Sequence, residues 1–448
     1  MTKKLVFTLC LLLLLAPELV SAEVYSLNEL YRLALERSET IKIAEEDLYI
    51  SEREKDSALA DLIPTLSVFG YHTRYSDAKT SSGLILQPDY TNQWGAKLGT
   101  TYSLGGREFT DLTIARYGID QSAFDLHSVR EGYLLNVAVQ YYAVLRVKRE
   151  IEIAAANVER LTKQRDVARK RLEVGESIKT DVLRAEAELA DAQSELITSE
   201  NTLKIANNAL AKTVGIREEY DVRDPQPGID YRDPDNGDIT LDFLKGECMY
   251  PVIECLKQLA LSERAEIRSL MVQKDIAERS VASAKSSYWP DLSLEGIYAK
   301  QENEPARSFE LDEQVYGILR LDFPFYEGGA KKAAVSKAHA RLRQTKYYLS
   351  DLKQQISKEV ENTYIVATTA IAVLKTRQAA VKFARENYNL VSKQFQYGLA
   401  DSVDVIDANT RLITSEREIV NAEYVYQLAL LTIKRVTGVL LNSVRSDN

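Results

Sequence analysis

The chain has 448 residues, 45% hydrophobic and 27% charged, with 57 basic against 66 acidic side chains and a formal net charge of −9. That acidic balance excludes nucleic acid as a natural partner. His72, His127 and His339 are scattered and propose no metal site. The chain has no H-E-x-x-H, G-x-S-x-G or phosphate-binding glycine loop, so neither an enzyme nor a cofactor is expected.

Residues 1–22 read as a secretory leader. Lys3 and Lys4 form a basic start, Leu5 to Ala16 an apolar run, and Val20-Ser21-Ala22 a small-residue cleavage signal. Cys10 fills the apolar run and lacks the small residues that an acylation site needs. Without the leader the balance is 55 basic to 65 acidic, a net charge of −10. No later apolar stretch reaches the roughly 18 residues of a membrane helix. The exported chain is therefore soluble in the periplasm or meets a membrane through β-strands.

The first unit spans 23–215. Two alternating segments come first, Leu66 to His72 and Gln93 to Leu104. In the second, Trp94, Ala96, Leu98, Thr100, Tyr102 and Leu104 form one face, and Gln93, Gly95, Lys97, Gly99, Thr101 and Ser103 the other. Arg107 to Val174 then runs without proline and holds only Gly118 and Gly132. Gly175 marks a turn needing positive φ. Beyond it Val182, Ala185, Leu189, Ala192, Leu196, Ser199, Leu203, Ala206 and Leu210 step by 3 and 4, a heptad seam. Ile151, Ala154, Val158, Leu161, Ala168 and Leu172 give a facing stripe, with Arg165 its one charged position.

Residues 216–258 are rich in Asp and Pro and hold Cys248 and Cys255. In an oxidising compartment the two thiols either pair or stay free and buried. Against Ser26 to Ile41, the later copy carries about twelve extra residues from Thr240 to Ile267, and the cysteines are expected in that insertion.

From 259 to 438 the chain repeats itself, leaving a tail at 439–448. Leu62 to Gly70 matches Tyr288 to Gly296 at an offset of 226. From Gly105-Gly106 and Gly328-Gly329 onward the offset is 223, without gaps: Val137 falls on Val360, Gly175 on Gly398, Asp181 on Asp404 and Gly215 on Gly438. The three-residue difference belongs in a loop tip between Gly70 and Gly105. Leu292 to Tyr298 and Gln314 to Phe325 are the repeated strands, the latter with Gln314, Tyr316, Arg320 and Asp322 on its polar face. Ala330 to Tyr397 is a stretch of 68 residues without proline or glycine. As one helix it would reach roughly 100 Å and need a coiled-coil partner. Val405, Ala408, Leu412, Ser415, Ile419, Ala422, Tyr426, Ala429 and Ile433 supply the seam.

Strands of about ten residues, apolar outside and polar inside, fit an outer-membrane barrel. Four cannot close one, and open edges cannot face lipid. The barrel must be shared among copies, eight strands for two or twelve for three, and composition does not choose. A soluble coiled coil or adhesin without a pore, and a permanently open porin, are the competing readings.

The pattern resembles the TolC-like outer membrane efflux protein family over nearly the whole mature chain. The carriers are Pro64-Thr65-Leu66-Ser67 and Pro290-Asp291-Leu292-Ser293, the paired glycines, and two tip motifs, Val174 to Val182 and Tyr397 to Asp407. The resemblance implies a mainly α fold with a small β part. It implies a homotrimer, a twelve-stranded outer-membrane barrel and an α-helical barrel crossing the periplasm. It also implies a periplasmic adaptor and an inner-membrane pump of the RND, ABC or MFS class. Gly175, Asp181, Gly398 and Leu399 would dock the adaptor, and Lys97, Arg320 and Asp322 would line the lumen. Asp404 and Asp407 match the family's acidic gate. Asp401 shares their helix face but reads first as a helix N-terminal charge. The chain departs from some relatives at Ala400, where they carry a basic latch residue. With only Met249 and Met271 beyond the leader, a copper-specific duct is disfavoured.

Overall fold

The computed structural model of the protein describes residues 23–224, 252–306 and 311–446. The expected leader, Cys10 and Cys248 lie outside the described residues. The chain is mostly helical with a small sheet part.

In chain order the elements are β1 (Glu23–Tyr25), α1 (Leu27–Arg37), α2 (Glu39–Ala60), β2 (Thr65–Arg74), β3 (Lys79–Ser81), β4 (Leu84–Gln87), β5 (Tyr90–Ser103), α3 (Arg107–Glu173), α4 (Lys179–Val214) and β6 (Tyr220–Val222). The second half brings α5 (Val252–Glu263), α6 (Ala265–Ser286), β7 (Asp291–Glu304), β8 (Glu313–Asp322), α7 (Ala330–Gln396), α8 (Ser402–Val436) and α9 (Leu440–Ser446).

Local chemistry sets the boundaries. Ser26 and Glu29 form a reciprocal capping box at the start of α1. Ser38 closes α1 through its backbone N–H and opens α2 by accepting a hydrogen bond from Ile41 N on its hydroxyl. Both long helices begin after a glycine in the left-handed region, Gly106 before α3 and Gly329 before α7. Each is 67 residues long, or roughly 100 Å at 1.5 Å per residue. Gly105 has a different task. A Cβ there would fall 2.8 Å from Ser286 Cα, so its bare backbone lets the end of β5 sit against α6.

Four strands form one antiparallel sheet in the order β2-β5-β7-β8. The two inner strands have 14 residues each and the two outer ones 10. Sequence alternation carries the last strand on to Phe325, but β8 stops at Asp322. Pro324 follows and has no N–H for a ladder. The first copy's longer loop contains a small separate hairpin, β3 with β4.

Two main cores hold the helices. The first gathers Leu30, Tyr31 and Ala34 of α1 with Val137, Ala138 and Tyr141 of α3, and Leu210 and Val214 of α4. Leu440 and Leu441 of α9 join it, so the C-terminal helix is packed into the first half. The second joins Leu256 and Ala260 of α5 to Ile356 and Val360 of α7 and to Ile433 and Val436 of α8. This corrects the placement of Cys255. Leu256 and Ala260 match Leu30 and Ala34 at the offset of 226, so α5 is the counterpart of α1 and Cys255 lies on it, not in an insertion. A boundary at 259 would cut that helix. Cys255 is disulfide-bonded.

Candidate functional site: the helical tips and the sheet

The two long hairpins, α3 with α4 and α7 with α8, each end in a short tip. Gly175 and Gly398 turn the chain at φ +80° and +76°, which a Cβ would strain. Gly175 N donates to Leu172 O and Gly398 N to Phe395 O, closing the preceding helices. Apolar side chains crown both tips. Val174, Ile178, Tyr397 and Leu399 are all at least 65% exposed, more than isolated surface residues need.

The second tip restarts its helix with carboxylates. Asp401 Oδ1 accepts hydrogen bonds from Val403 N (2.8 Å) and Asp404 N (2.9 Å). Asp404 Oδ2 in turn accepts from Asp401 N at 3.2 Å. Asp401 is thus a helix cap, and Asp404 is both cap partner and exposed carboxylate. Asp407 is exposed, with no hydrogen bond or ion pair among the described residues. The first tip has no such box. Ile178 is its N-cap and offers no side-chain acceptor, while Asp181 accepts a hydrogen bond from Ser177 Oγ at 2.8 Å.

At the far end the register sorts the sheet's faces. Lys97 stands opposite Ser67 and Ile297, and Ser293 stands opposite Arg320. Lys97, Glu295, Arg320 and Asp322 therefore share one face. Lys97 Nζ and Glu295 Oε1 are 2.8 Å apart. The opposite face carries Leu66, Val68, Trp94, Leu98, Leu294, Val315, Leu319 and Leu321. All are exposed, Val68 at 83% and Val315 at 79%.

Sequence reading missed Glu295, which pairs with Lys97 across strands from different halves. It also missed Arg171. That guanidinium donates through Nη1 to Phe395 O at 3.2 Å and lies 5.1 Å from the Phe395 ring centroid, joining the two tips. Asn157 and Asn409 went unseen too; their amides are hydrogen bonded at 2.9 Å in the buried space between α3 and α8. A signal for them existed: Asn157, Gln164 and Arg171 are seven residues apart, as are Ser402, Asn409 and Glu416.

Long paired hairpins thus run from a four-stranded sheet that carries its apolar side chains on one face. The profile of the family described as "Outer membrane efflux protein" matches residues 30–216 and 256–439, and the chain belongs to that family. It is 24% identical over 320 residues to the outer membrane protein TolC of Vibrio cholerae, covering 70% of this chain and 69% of that one. It is 23% identical over 431 residues to the alkaline protease secretion protein AprF of Pseudomonas aeruginosa, covering 92% and 84%. Among solved structures, the outer membrane protein VceC of Vibrio cholerae superposes with a TM-score of 0.75 at 18% identity, over 92% of this chain and 96% of the other. CusC gives 0.78 at 16%, over 92% of each. The protein is a TolC-like protein of the bacterial outer membrane, extending into the periplasm, in a family of channels rather than enzymes. Among the described residues no helix is long and apolar enough to cross a membrane.

Proposed function

We propose that three copies of this chain form a passive exit duct. Their sheets close into one twelve-stranded barrel, and their hairpins continue it as a helical tube through the periplasm. The observation that carries this reading is the sheet itself. β2 pairs only with β5 and β8 only with β7 among the described residues, leaving two open edges beside a largely exposed apolar face. Unpaired backbone groups cannot rest in hydrocarbon, so the edges need strands from other copies. The face with Lys97, Glu295, Arg320 and Asp322 then lines the lumen. The apolar crowns around Gly175, Asp181, Gly398 and Leu399 dock a periplasmic adaptor that couples the duct to an inner-membrane RND, ABC or MFS pump. Threefold repetition turns Asp404 and Asp407 into rings of carboxylates at the periplasmic entrance, which favour cations.

The test is single-channel current in planar bilayers, comparing the mature protein with Asp404→Asn/Asp407→Asn. Asparagine keeps the acceptor that caps the helix. A small cation-preferring conductance that loses its selectivity in the variant is expected. A large unselective current unchanged by the substitutions would indicate an open porin. Absence of any current would remove the duct reading.

A further inference from the structure

Each half lays a short helix along a long one, α2 beside α3 and α6 beside α7, and α6 also packs against α3. Near the sheet the chain is therefore a row, α2, α3, α6 and α7, with two free flanks. Among the described residues no helix packs along the outer side of α2 or of the start of α7.

The repeat shows what those flanks lack. On α6 the stripe Ser269, Val272, Ile276, Ser280 and Ser283 runs along α3, and none of it is exposed. Ser283 Oγ donates there to Asp111 Oδ1 at 2.7 Å. At the offset of 226 the same stripe on α2 is Ile43, Glu46, Ile50, Glu54 and Ser57, and every one is exposed. On α3, Thr113, Ile114, Gly118 and Gln121 are half-buried, whereas their counterparts on α7, Ser336, Lys337, Arg341 and Gln344, are exposed.

The flanks also carry opposite charge. α2 has seven acidic side chains to three basic, while Gly328 to Ser350 has six basic side chains and no acidic one. The side chains of Glu46, Glu54, Lys337 and Arg341 make no ion pair or hydrogen bond among the described residues. Such surfaces attract each other. One copy cannot join its own two flanks, because α3 and α6 lie between them.

The contact inside the chain gives the register outside it. Moved by their offsets, Ser283 and Asp111 become Ser57 of one copy level with Ala334 of the next. The two helices run in opposite directions, so Glu54 then meets Lys337, and Ile50 the stem of Arg341. Farther from the sheet the asparagine pair Asn157–Asn409, hydrogen bonded at 2.9 Å, gives a second register. Its counterparts Ala380 and Glu186 come level, and with them Thr369 and Ile197. Ile197 is 60% exposed on α4. Thr369 lies in a groove of about 430 Å³ between α7 and α8, lined by Ile365, Val366, Ala370, Val373 and Val425.

We infer that copies of this chain select one another by charge, the acidic flank of α2 docking along the basic flank of α7 of the next copy. Ile197 in the groove of that copy adds apolar burial, which any similar chain could supply. The charged pair discriminates, because a chain without it sets like charge against like. The contact joins two different surfaces, so it runs head to tail and closes as a ring. This rests on the duct reading above and adds to it how the copies are chosen.

The experiment uses the full mature protein in detergent, with native mass spectrometry as the readout and circular dichroism to follow helix content. Glu46→Lys/Glu54→Lys and Lys337→Glu/Arg341→Glu should each lower the assembled fraction several-fold, and the four substitutions in one chain should restore it. Co-expressed with the parent, the fourfold variant should sort into assemblies of one kind of chain. That sorting decides the matter even where a single-flank variant fails to fold. Full assembly of both single-flank variants, a fourfold variant that is helical but unassembled, or random mixing with the parent would overturn the inference and leave the duct in place. A parent found only as single chains would overturn both. Pairs of copies that respond to the charge changes would uphold the junction and overturn the threefold duct.

Discussion

The two halves of the chain share one plan but hold their bends by different chemistry. Where α1 meets α2, the first half uses Ser38, a small buried hydroxyl that caps a helix. At the equivalent place between α5 and α6 the second half uses Arg264, whose side chain is 6% exposed. That guanidinium is matched by Glu266 at 2.9 Å and by Glu359, and Arg435 closes the group at 2.8 Å from Glu266. The tips differ in the same sense, with a bare Ile178 in the first and a carboxylate box in the second. A repeat thus preserves backbone geometry, which glycine placement and apolar spacing set, while leaving the polar joints free to diverge. The second half relies on charge where the first relies on apolar packing and small caps.

The largest break in this comparison comes from removing the buried cation. Arg264→Ala leaves two carboxylates beside one arginine and should cost about 3–5 kcal/mol, whereas Ser38→Ala should cost about 1 kcal/mol. Native-state hydrogen exchange should show α5 to α8 opening first in the arginine variant. An equal loss in both variants would contradict the contrast.

Acid should produce the next largest effect, again confined to the second half. Burial pushes the Glu266 carboxyl up, but the hydrogen bonds and charge of Arg264, with the charge of Arg435, outweigh it and hold it at about 2. A carboxylate with a lowered folded-state pKa stabilises the fold above its ordinary value of 4.5 and loses that contribution as pH falls toward 2. The contribution at neutral pH is about 3 kcal/mol. Exchange measured between pH 5 and 2.5 should accelerate in α6 and at the ends of α7 and α8 before it does in α1 and α2. Glu266→Gln should flatten that dependence.

The smallest effects sharpen the comparison of the tips. Asp401→Ala should destabilise the start of α8 by about 1 kcal/mol, and Ile178→Asp should stabilise the start of α4 by a similar amount. Amide exchange at 403–405 and 180–182 would report both. No change at 180–182 would mean that the first tip's restart does not depend on its cap.

Much of this architecture could be read from residues alone. The helix from Ala330, expected to run to Tyr397, ends at Gln396, because nothing within it breaks a helix and Gly398 does. The polar and apolar faces of the strands follow from alternation, and the register keeps them. Asp401 as a cap is legible because a carboxylate three residues before Asp404 at a helix start has few other conformations. The ion pair Lys97–Glu295 was not legible, because it joins strands from different halves whose pairing local patterns do not specify. Cys255 was misplaced because gaps in an alignment of two weakly similar halves can be set in several ways, whereas the buried Leu256 and Ala260 fix the helix once α7 and α8 are present.

The sequence by itself determined the repeat, the extent of the two long helices, the two glycine turns and the apolar seams inside each hairpin. All of these follow from spacing along one segment, where helix and strand periods act directly on nearest neighbours. Tertiary structure decided which hairpin lies beside which, that β5 and β7 form the centre of the sheet, and that α9 returns to the first half. It also decided that Arg171 reaches the other tip and that Arg264 sits among Glu266, Glu359 and Arg435. Those outcomes depend on groups far apart in the chain meeting at distances of about 3 Å. No local period encodes such meetings, and only the packed arrangement of all four long helices brings them about.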